Sequence, residues 1–237
     1  MERYYFFILF GYLSGSILFA RILPKYLRHI DICALSDDGN PGVFNAFRHA
    51  GPVIGTLTLC LELVKGFLPV WLSLKLLDPR NGVFALVLAA PVFGHAFPLF
   101  HHGRGGKSIT VSFGSLLGLF PNLEPVLALA VFYLLFSMVI IIEPHLARSI
   151  ATYLCFSVTA LRCFAPRSVM MGTLLISGIV IFKHMLKYEK EPVSIRLIRR
   201  NRCPVSFFFC PRFIYPAPPI FCRSLPGRPP PRQCPAD

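Results

Sequence analysis

Apolar residues in this chain come in blocks too long and too continuous for the helices of a soluble domain. Seven blocks stand out: Tyr4–Leu23, Pro52–Leu77, Val83–Phe100, Ile109–Phe120, Pro125–Ile142, Ile150–Phe164 and Val169–Phe182. A helix that crosses the hydrocarbon core needs about 20 mainly apolar residues, and polar turns separate these blocks. The pattern predicts an all-α integral membrane protein with about seven transmembrane helices. The fourth block is short for a full crossing and suits a tilted helix, or one that enters a cavity in the protein. The first block has no evident signal-peptidase site and runs into a polar loop, so it is read as a retained helix.

Composition agrees with this reading. Hydrophobic residues make up 54% of the 237 and charged residues only 15%, which excludes an ordinary soluble domain. The net charge of +13 lies between the apolar blocks and near the C-terminus, with no basic stripe carrying interleaved aromatics, so no nucleic-acid partner is expected. Positive-inside topology accounts for it better. With the N-terminus outside, the inner loops carry Arg21, Lys25, Arg28, Arg48, Arg104, Lys107, Arg148 and the Lys183–Arg200 cluster, while Arg3, Arg80, Arg162 and Arg167 fall outside. The expected orientation is N-terminus outside and C-terminus cytoplasmic, in the cell (inner) membrane. Three polar stretches then share the cytoplasmic side: Asp37–Arg48, Gly94–Lys107 and the region of His184.

The second of these, GHAFPLFHHGRGGKSIT (Gly94–Thr110), carries the most chemistry. Gly103, Gly105 and Gly106 allow backbone amides to converge without Cβ obstruction, the form of an anion-binding concavity. Arg104 and Lys107 add positive charge where the next helix would begin. The ending GGKS resembles a Walker A loop, but that motif needs glycine at position 101, which is His101, and no strand precedes it. A nucleotide-hydrolysing loop is excluded. Phosphate binding remains, beside the plainer reading of a basic turn that meets lipid headgroups.

Two further stretches bear on it. In Asp37–Gly51, Asn40-Pro41-Gly42 is strong turn chemistry, and Asn45 and Arg48 are three apart and can face one site. Arg48 offers a planar fork for bidentate phosphate contact. Glu62 and Lys65, three apart inside the second block, share a helix face; they either line a polar cavity or only fix packing. The eight cysteines show no metal-ligand spacing, so no metal is expected. After residue 200 the chain turns rich in proline, cysteine and arginine, which predicts a disordered tail over 201–237 behind a membrane domain of residues 1–200.

Taken together, GYLSGSILFAR (Gly11–Arg21), GNPGVFNAFR (Gly39–Arg48), ELVKGFLP (Glu62–Pro69), GHAFPLFHHGRGGKS (Gly94–Ser108) and the His184 region resemble, in order and spacing, the bacterial acyl-phosphate–glycerol-3-phosphate acyltransferases of the PlsY type. The resemblance implies an enzyme of phospholipid synthesis. It would move a fatty acyl group from acyl phosphate to the 1-hydroxyl of glycerol 3-phosphate, giving lysophosphatidic acid, with no cofactor and with membrane lipids as neighbours. Other glycerolipid acyltransferases use H-x-x-x-x-D, which is absent here. Residue by residue, the resemblance implies that Asn40, Asn45 and Arg48 orient and bind phosphate. Lys107, with Arg104, Gly105, Gly106 and Ser108, would hold phosphate and stabilise charge developing on transfer. Lys65 would line the polar cavity, His95 would brace the loop or touch substrate, and His184 would stand at the cytoplasmic end of the last helix.

The chain departs from the family pattern at five places. Asp38 stands where serine is usual, which points to a general base or to a less anionic acceptor. Lys187 replaces an asparagine, Gly103 a bulky aromatic, Ser108 a glycine and Glu62 an aspartate. A relative with another acceptor, or an inactive one, is the second reading. A transporter of a phosphorylated metabolite is the third, supported by the intramembrane Glu–Lys pair but by no inverted repeat.

Overall fold

The computed structural model describes residues 1–36, 39–186 and 194–197. Asp38, Lys187 and the tail singled out above lie outside the described residues. Ten helices follow one another along the described chain: α1 (Glu2–Ser16), α2 (Phe19–Arg28), α3 (Ile32–Leu35), α4 (Val43–Ala50), α5 (Pro52–Leu74), α6 (Phe84–Ala96), α7 (Ile109–Leu117), α8 (Glu124–Leu134), α9 (His145–Cys163) and α10 (Arg167–Met185). Among the described residues, four segments are long and apolar enough to cross a membrane: Glu2–Arg28, Pro52–Leu74, Phe84–His101 and Arg167–Met185. Helix α7 has 9 residues and α8 has 11, so both are short for a crossing.

Two expectations of continuous helix are corrected. The first apolar block breaks at Ile17, whose backbone is extended, and at Leu18, whose backbone is also non-helical, and α2 starts afresh at Phe19. Gly15, Ser16 and the β-branched Ile17 are weak helix formers, so the break falls where intrinsic preference is lowest. The block Pro125–Ile142 also does not stay helical: α8 passes through a π-helical turn, Leu135–Val139, into a short strand β1, Ile140–Glu143. β1 pairs antiparallel with β2, Ser194–Leu197, with Ile140 opposite Leu197 and Glu143 opposite Ser194. The protein is therefore mostly helical rather than all-α. Val139 and three consecutive isoleucines crowd a helix and suit a pleated strand.

Helix α6 is the axis of the bundle, with every residue buried except Leu86 and Phe93. Helix α1 packs on it at glycine: a Cβ at Gly15 would sit 2.1 Å from the Pro91 carbonyl oxygen, and one at Gly94 only 2.2 Å from that of Tyr12. Without side chains at the crossing the two backbones come close enough for dense van der Waals contact. Phe84, Leu88 and Val92 of α6 share a core with Leu116, Leu129, Tyr153, Phe156, Ile176 and Val180. On the other face of α5, Val53, Leu57, Val64 and Leu68 are exposed, as suits contact with lipid rather than water.

Candidate functional site

The break between α1 and α2 strands backbone groups inside the bundle, and α5 satisfies them. Lys65 Nζ donates to the carbonyls of Gly15 (3.1 Å) and Ile17 (2.6 Å), the loose C-terminal carbonyls of α1. Glu62 Oε1 accepts from the Ala20 amide at 3.2 Å, in the opening turn of α2. The pair closes on itself, with Lys65 Nζ 2.7 Å from Glu62 Oε2. Both side chains are buried, Glu62 at 1% and Lys65 at 4% exposure. In membrane interiors an interrupted helix persists only where its freed groups find partners, and here an ion pair supplies one of each sign. Of the two readings of this pair, lining a cavity or fixing packing, the geometry serves the second. The ammonium protons of Lys65 are taken by the protein, and the pair fixes packing.

His95 continues the chain of contacts. Its Nδ1 lies 2.9 Å from Lys65 Nζ and 3.2 Å from Glu62 Oε2, accepting from the one or donating to the other according to tautomer. Its Nε2 edge lies against Gly106, where a Cβ would come within 2.3 Å of Nε2. His95 is 5% exposed. Of the two roles expected for it, bracing the loop is the one this geometry serves.

The glycine-rich loop is held by the same region. A 3-10 turn at Leu99–His101 leads into His102 and Gly103, both with positive φ. The Leu99 amide donates to Ser16 Oγ (3.2 Å) and Tyr12 Oη to the Phe97 carbonyl (3.1 Å), which fastens the loop to α1. The Gly105 amide donates to the Gly103 carbonyl (3.1 Å) and the Gly106 amide to the His95 carbonyl (3.2 Å). The Gly105 and Gly106 amides, expected to cradle phosphate, thus both donate within the protein in this structure. The absence of Cβ serves close approach to α6 instead, since a Cβ at Gly105 would lie 2.0 Å from the His95 carbonyl oxygen. Ser108 also turns inward, its Oγ donating to the Val92 carbonyl at 3.1 Å. Its φ of 62° places it in the left-handed region, which gives the family's glycine at this position a physical reason.

The two cations of the loop part company. Lys107, half-buried just before α7, lies within electrostatic range of His184 on α10. Arg104 is exposed and lines a cavity of about 600 Å³ together with Arg21 and Lys25 of α2. His184 is fully buried; its Nδ1 donates to the Val180 carbonyl at 2.8 Å, and its Nε2 has no hydrogen-bond partner among the described residues. Facing it is the ring of His145, parallel within 11° at 6.2 Å. Ser149 Oγ lies 3.4 Å from His145 Nδ1 and 3.3 Å from Tyr133 Oη.

The first of the polar stretches ends on α4. Asn45 Nδ2 donates to the Asn40 carbonyl at 2.9 Å, closing the turn, and both side chains are buried. Arg48 follows on the same helix, with its side chain exposed. Phe47 packs against Gly55 in the opening turns of α5, while α7 runs beside the second half of α5, with Val111 against Gly66 and Gly114 against Leu63. His145, Tyr133 and Ser149 were not singled out from the sequence, although the i, i+4 spacing of His145 and Ser149 on one helix was a usable signal. Arg21 and Lys25 were counted only as topology charges.

Segments fit to cross a membrane and a polar end that carries half-buried Arg21 and Lys107 and the buried His184 define a helical membrane protein with a basic polar end. Residues 5–190 match the glycerol-3-phosphate acyltransferase family, and the chain belongs to it. It is 32% identical over 193 residues to the glycerol-3-phosphate acyltransferase of a Hydrogenobaculum species, covering 81% of this chain and 92% of that one. It is 39% identical over 126 residues to that of Myxococcus xanthus, covering 53% and 64%. Against this relative and the Thermotoga petrophila one, the match spans 64% and 56% of the relative's length. Among solved structures, the fold is similar to that of PlsY (YgiH), an integral membrane glycerol 3-phosphate acyltransferase, in its glycerol 3-phosphate form. The TM-score is 0.68 at 25% identity, over 78% of this chain and 89% of that one. The lysophosphatidic acid form of PlsY gives 0.65 at 26% identity. The protein is accordingly a multi-pass membrane protein of this family.

Proposed function

We propose that this protein transfers a fatty acyl group from acyl phosphate to the 1-hydroxyl of glycerol 3-phosphate, producing lysophosphatidic acid and inorganic phosphate. The observation that carries the reading is the buried Nε2 of His184, which has no hydrogen-bond partner among the described residues and lies within electrostatic range of Lys107. Buried polar atoms in native proteins nearly always have partners. One left open at the polar end, with a cation in electrostatic range, suits a substrate that brings both a hydroxyl and a phosphate.

In the reaction the hydroxyl oxygen attacks the acyl carbonyl carbon and forms the ester bond. The bond from that carbon to the phosphate oxygen breaks, and its electron pair leaves with inorganic phosphate. The hydroxyl proton passes to a phosphate oxygen. With Nδ1–H held by the Val180 carbonyl, Nε2 of neutral His184 presents a lone pair that orients the hydroxyl. Lys107 offsets the charge gathering on the departing phosphate. Arg48 supplies the fork for the phosphate of the acceptor, while Asn40 and Asn45 keep its helix entry in place. Acyl chains reach the site from the bilayer along apolar helix walls.

The reading includes a topology of seven crossings, with the N-terminus outside and the active site facing the cytoplasm, supported by the distribution of positive charge. It takes residues 1–200 as the membrane domain and 201–237 as a tail without a part in catalysis. Phosphate release by purified protein from palmitoyl phosphate, with and without glycerol 3-phosphate, tests the activity. Acceptor-dependent release should fall about 10²- to 10³-fold in Lys107→Ala, the usual loss when one charge-stabilising donor is removed. Folded protein that releases no phosphate would overturn the proposal. Asp38→Ser tests the remaining departure: unchanged rate and acceptor preference would exclude Asp38 both as base and as selector.

A further inference from the structure

The cavity of about 600 Å³ between α2 and the turn at residues 99–104 takes no part in that reading. Its polar lining is all basic: Arg21, Lys25 and Arg104, with His101 and His102. Among the described residues no carboxylate pairs with Arg21, Lys25 or Arg104. Three fixed positive charges facing one space repel each other unless an anion enters.

The rest of the lining is apolar. Ile22, Tyr26 and Phe100 complete the wall, and the rings of Tyr26 and Phe100 are exposed. Aromatic side chains of this kind favour the level of the headgroups, and α2 displays Arg21, Lys25 and Arg28 at spacings of four and three on an otherwise apolar helix.

We propose that this cavity binds a phosphate monoester, at a site separate from the one around Lys107 and His184. Two guanidinium forks match the three terminal oxygens of a monoester, with Lys25 as a point charge. A diester phosphate offers only two such oxygens and one charge. The source is either a lipid headgroup, with chains lying along Ile22 and Phe100, or a free phosphate. The site does not depend on acyl transfer.

The test places the full-length protein, carrying Lys107→Ala so that the neighbouring site contributes little, in phosphatidylcholine nanodiscs doped with phosphatidate or with phosphatidylglycerol. Co-purifying lipid is then counted by native mass spectrometry. Phosphatidate should be retained over phosphatidylglycerol by about tenfold, equivalent to 1.4 kcal/mol. Arg21→Gln/Lys25→Gln and, separately, Arg104→Gln should bring retention down to the bulk lipid ratio. These side chains lie outside the core, and unchanged thermal unfolding would verify the fold. Inorganic phosphate added to phosphatidylcholine discs separates the sources: calorimetric binding lost in the same variants assigns the site to free phosphate, and retention of phosphatidate alone assigns it to lipid. Equal retention of phosphatidylglycerol, or full retention of phosphatidate in the well-folded variants with no phosphate binding, would overturn the proposal.

Discussion

Replacing Lys65 by methionine separates a structural role for the buried ion pair from a substrate-binding one. The substitution keeps most of the side-chain volume and removes the ammonium. It leaves Glu62, at 1% exposure, as a buried carboxylate without its cation, and it strands the carbonyls of Gly15 and Ile17 at the α1–α2 break. Removing one partner of a buried pair costs about 3–5 kcal/mol. At about 2–4 °C per kcal/mol for a chain of this size, that is a fall in Tm of roughly 6–20 °C. The double variant Glu62→Gln/Lys65→Met removes the stranded charge and should recover part of the loss, though not the part owed to the two carbonyls. Glu62→Gln alone should be milder than Lys65→Met, because Lys65 keeps both carbonyl acceptors. The assay is thermal unfolding in detergent micelles, alongside KM for glycerol 3-phosphate on protein that remains folded. KM should hold while Tm falls. A variant that melts within about 2 °C of the parent, less than 1 kcal/mol of effect, would refute the account of the break. A stable variant with a strongly raised KM would instead place Lys65 in substrate binding.

Gly105→Ala should lower stability by about 1–3 kcal/mol or prevent folding, since its Cβ meets backbone oxygens of His95 and Ala96 that cannot yield without moving α6; unfolding in micelles measures it. Gly106→Ala meets only the His95 ring, so activity should fall more than Tm does; an unaffected rate would remove His95 from the support of the loop. Ser108→Gly relieves a left-handed residue worth about 1–2 kcal/mol and loses one hydrogen bond worth about 1 kcal/mol, so Tm should rise by a few degrees or stay level, and a clear fall would refute the strain argument. Ending the chain at residue 200 should leave acceptor-dependent phosphate release intact, because the family match stops at residue 190; lost activity in folded protein would show that the tail matters.

The residue types that the chemistry needs were legible in the sequence, but their partners were not. Glu62 and Lys65 declare themselves as a pair by their spacing of three. That they cap a helix break nearly fifty residues earlier does not follow, because the unbroken apolar run Tyr4–Leu23 hides the loss of helix at Ile17. Gly105 and Gly106 announce close approach of a backbone, yet a missing Cβ admits a ligand and a neighbouring helix equally well. Only the carbonyl of His95 against the Gly106 amide decides between them. The chain Val139–Ile142 read as the end of a span because periodicity cannot tell a buried strand from a helix over four residues.

Lys107 and His184 show the same limit from the other side. Each was visible as a basic residue at the edge of an apolar block, but 77 positions separate them, and tertiary packing brings them within range of each other. What then sets His184 apart from His95 is satisfaction. Both are buried histidines near the polar end of the bundle. One has its Nδ1 held by an ion pair and its Nε2 edge closed by a glycine, while the other ends in a nitrogen with no partner among the described residues. An imidazole held by an ion pair keeps structure in place, whereas one with an open nitrogen can still accept a hydroxyl, and in the proposed reading that difference gives bracing to His95 and substrate contact to His184.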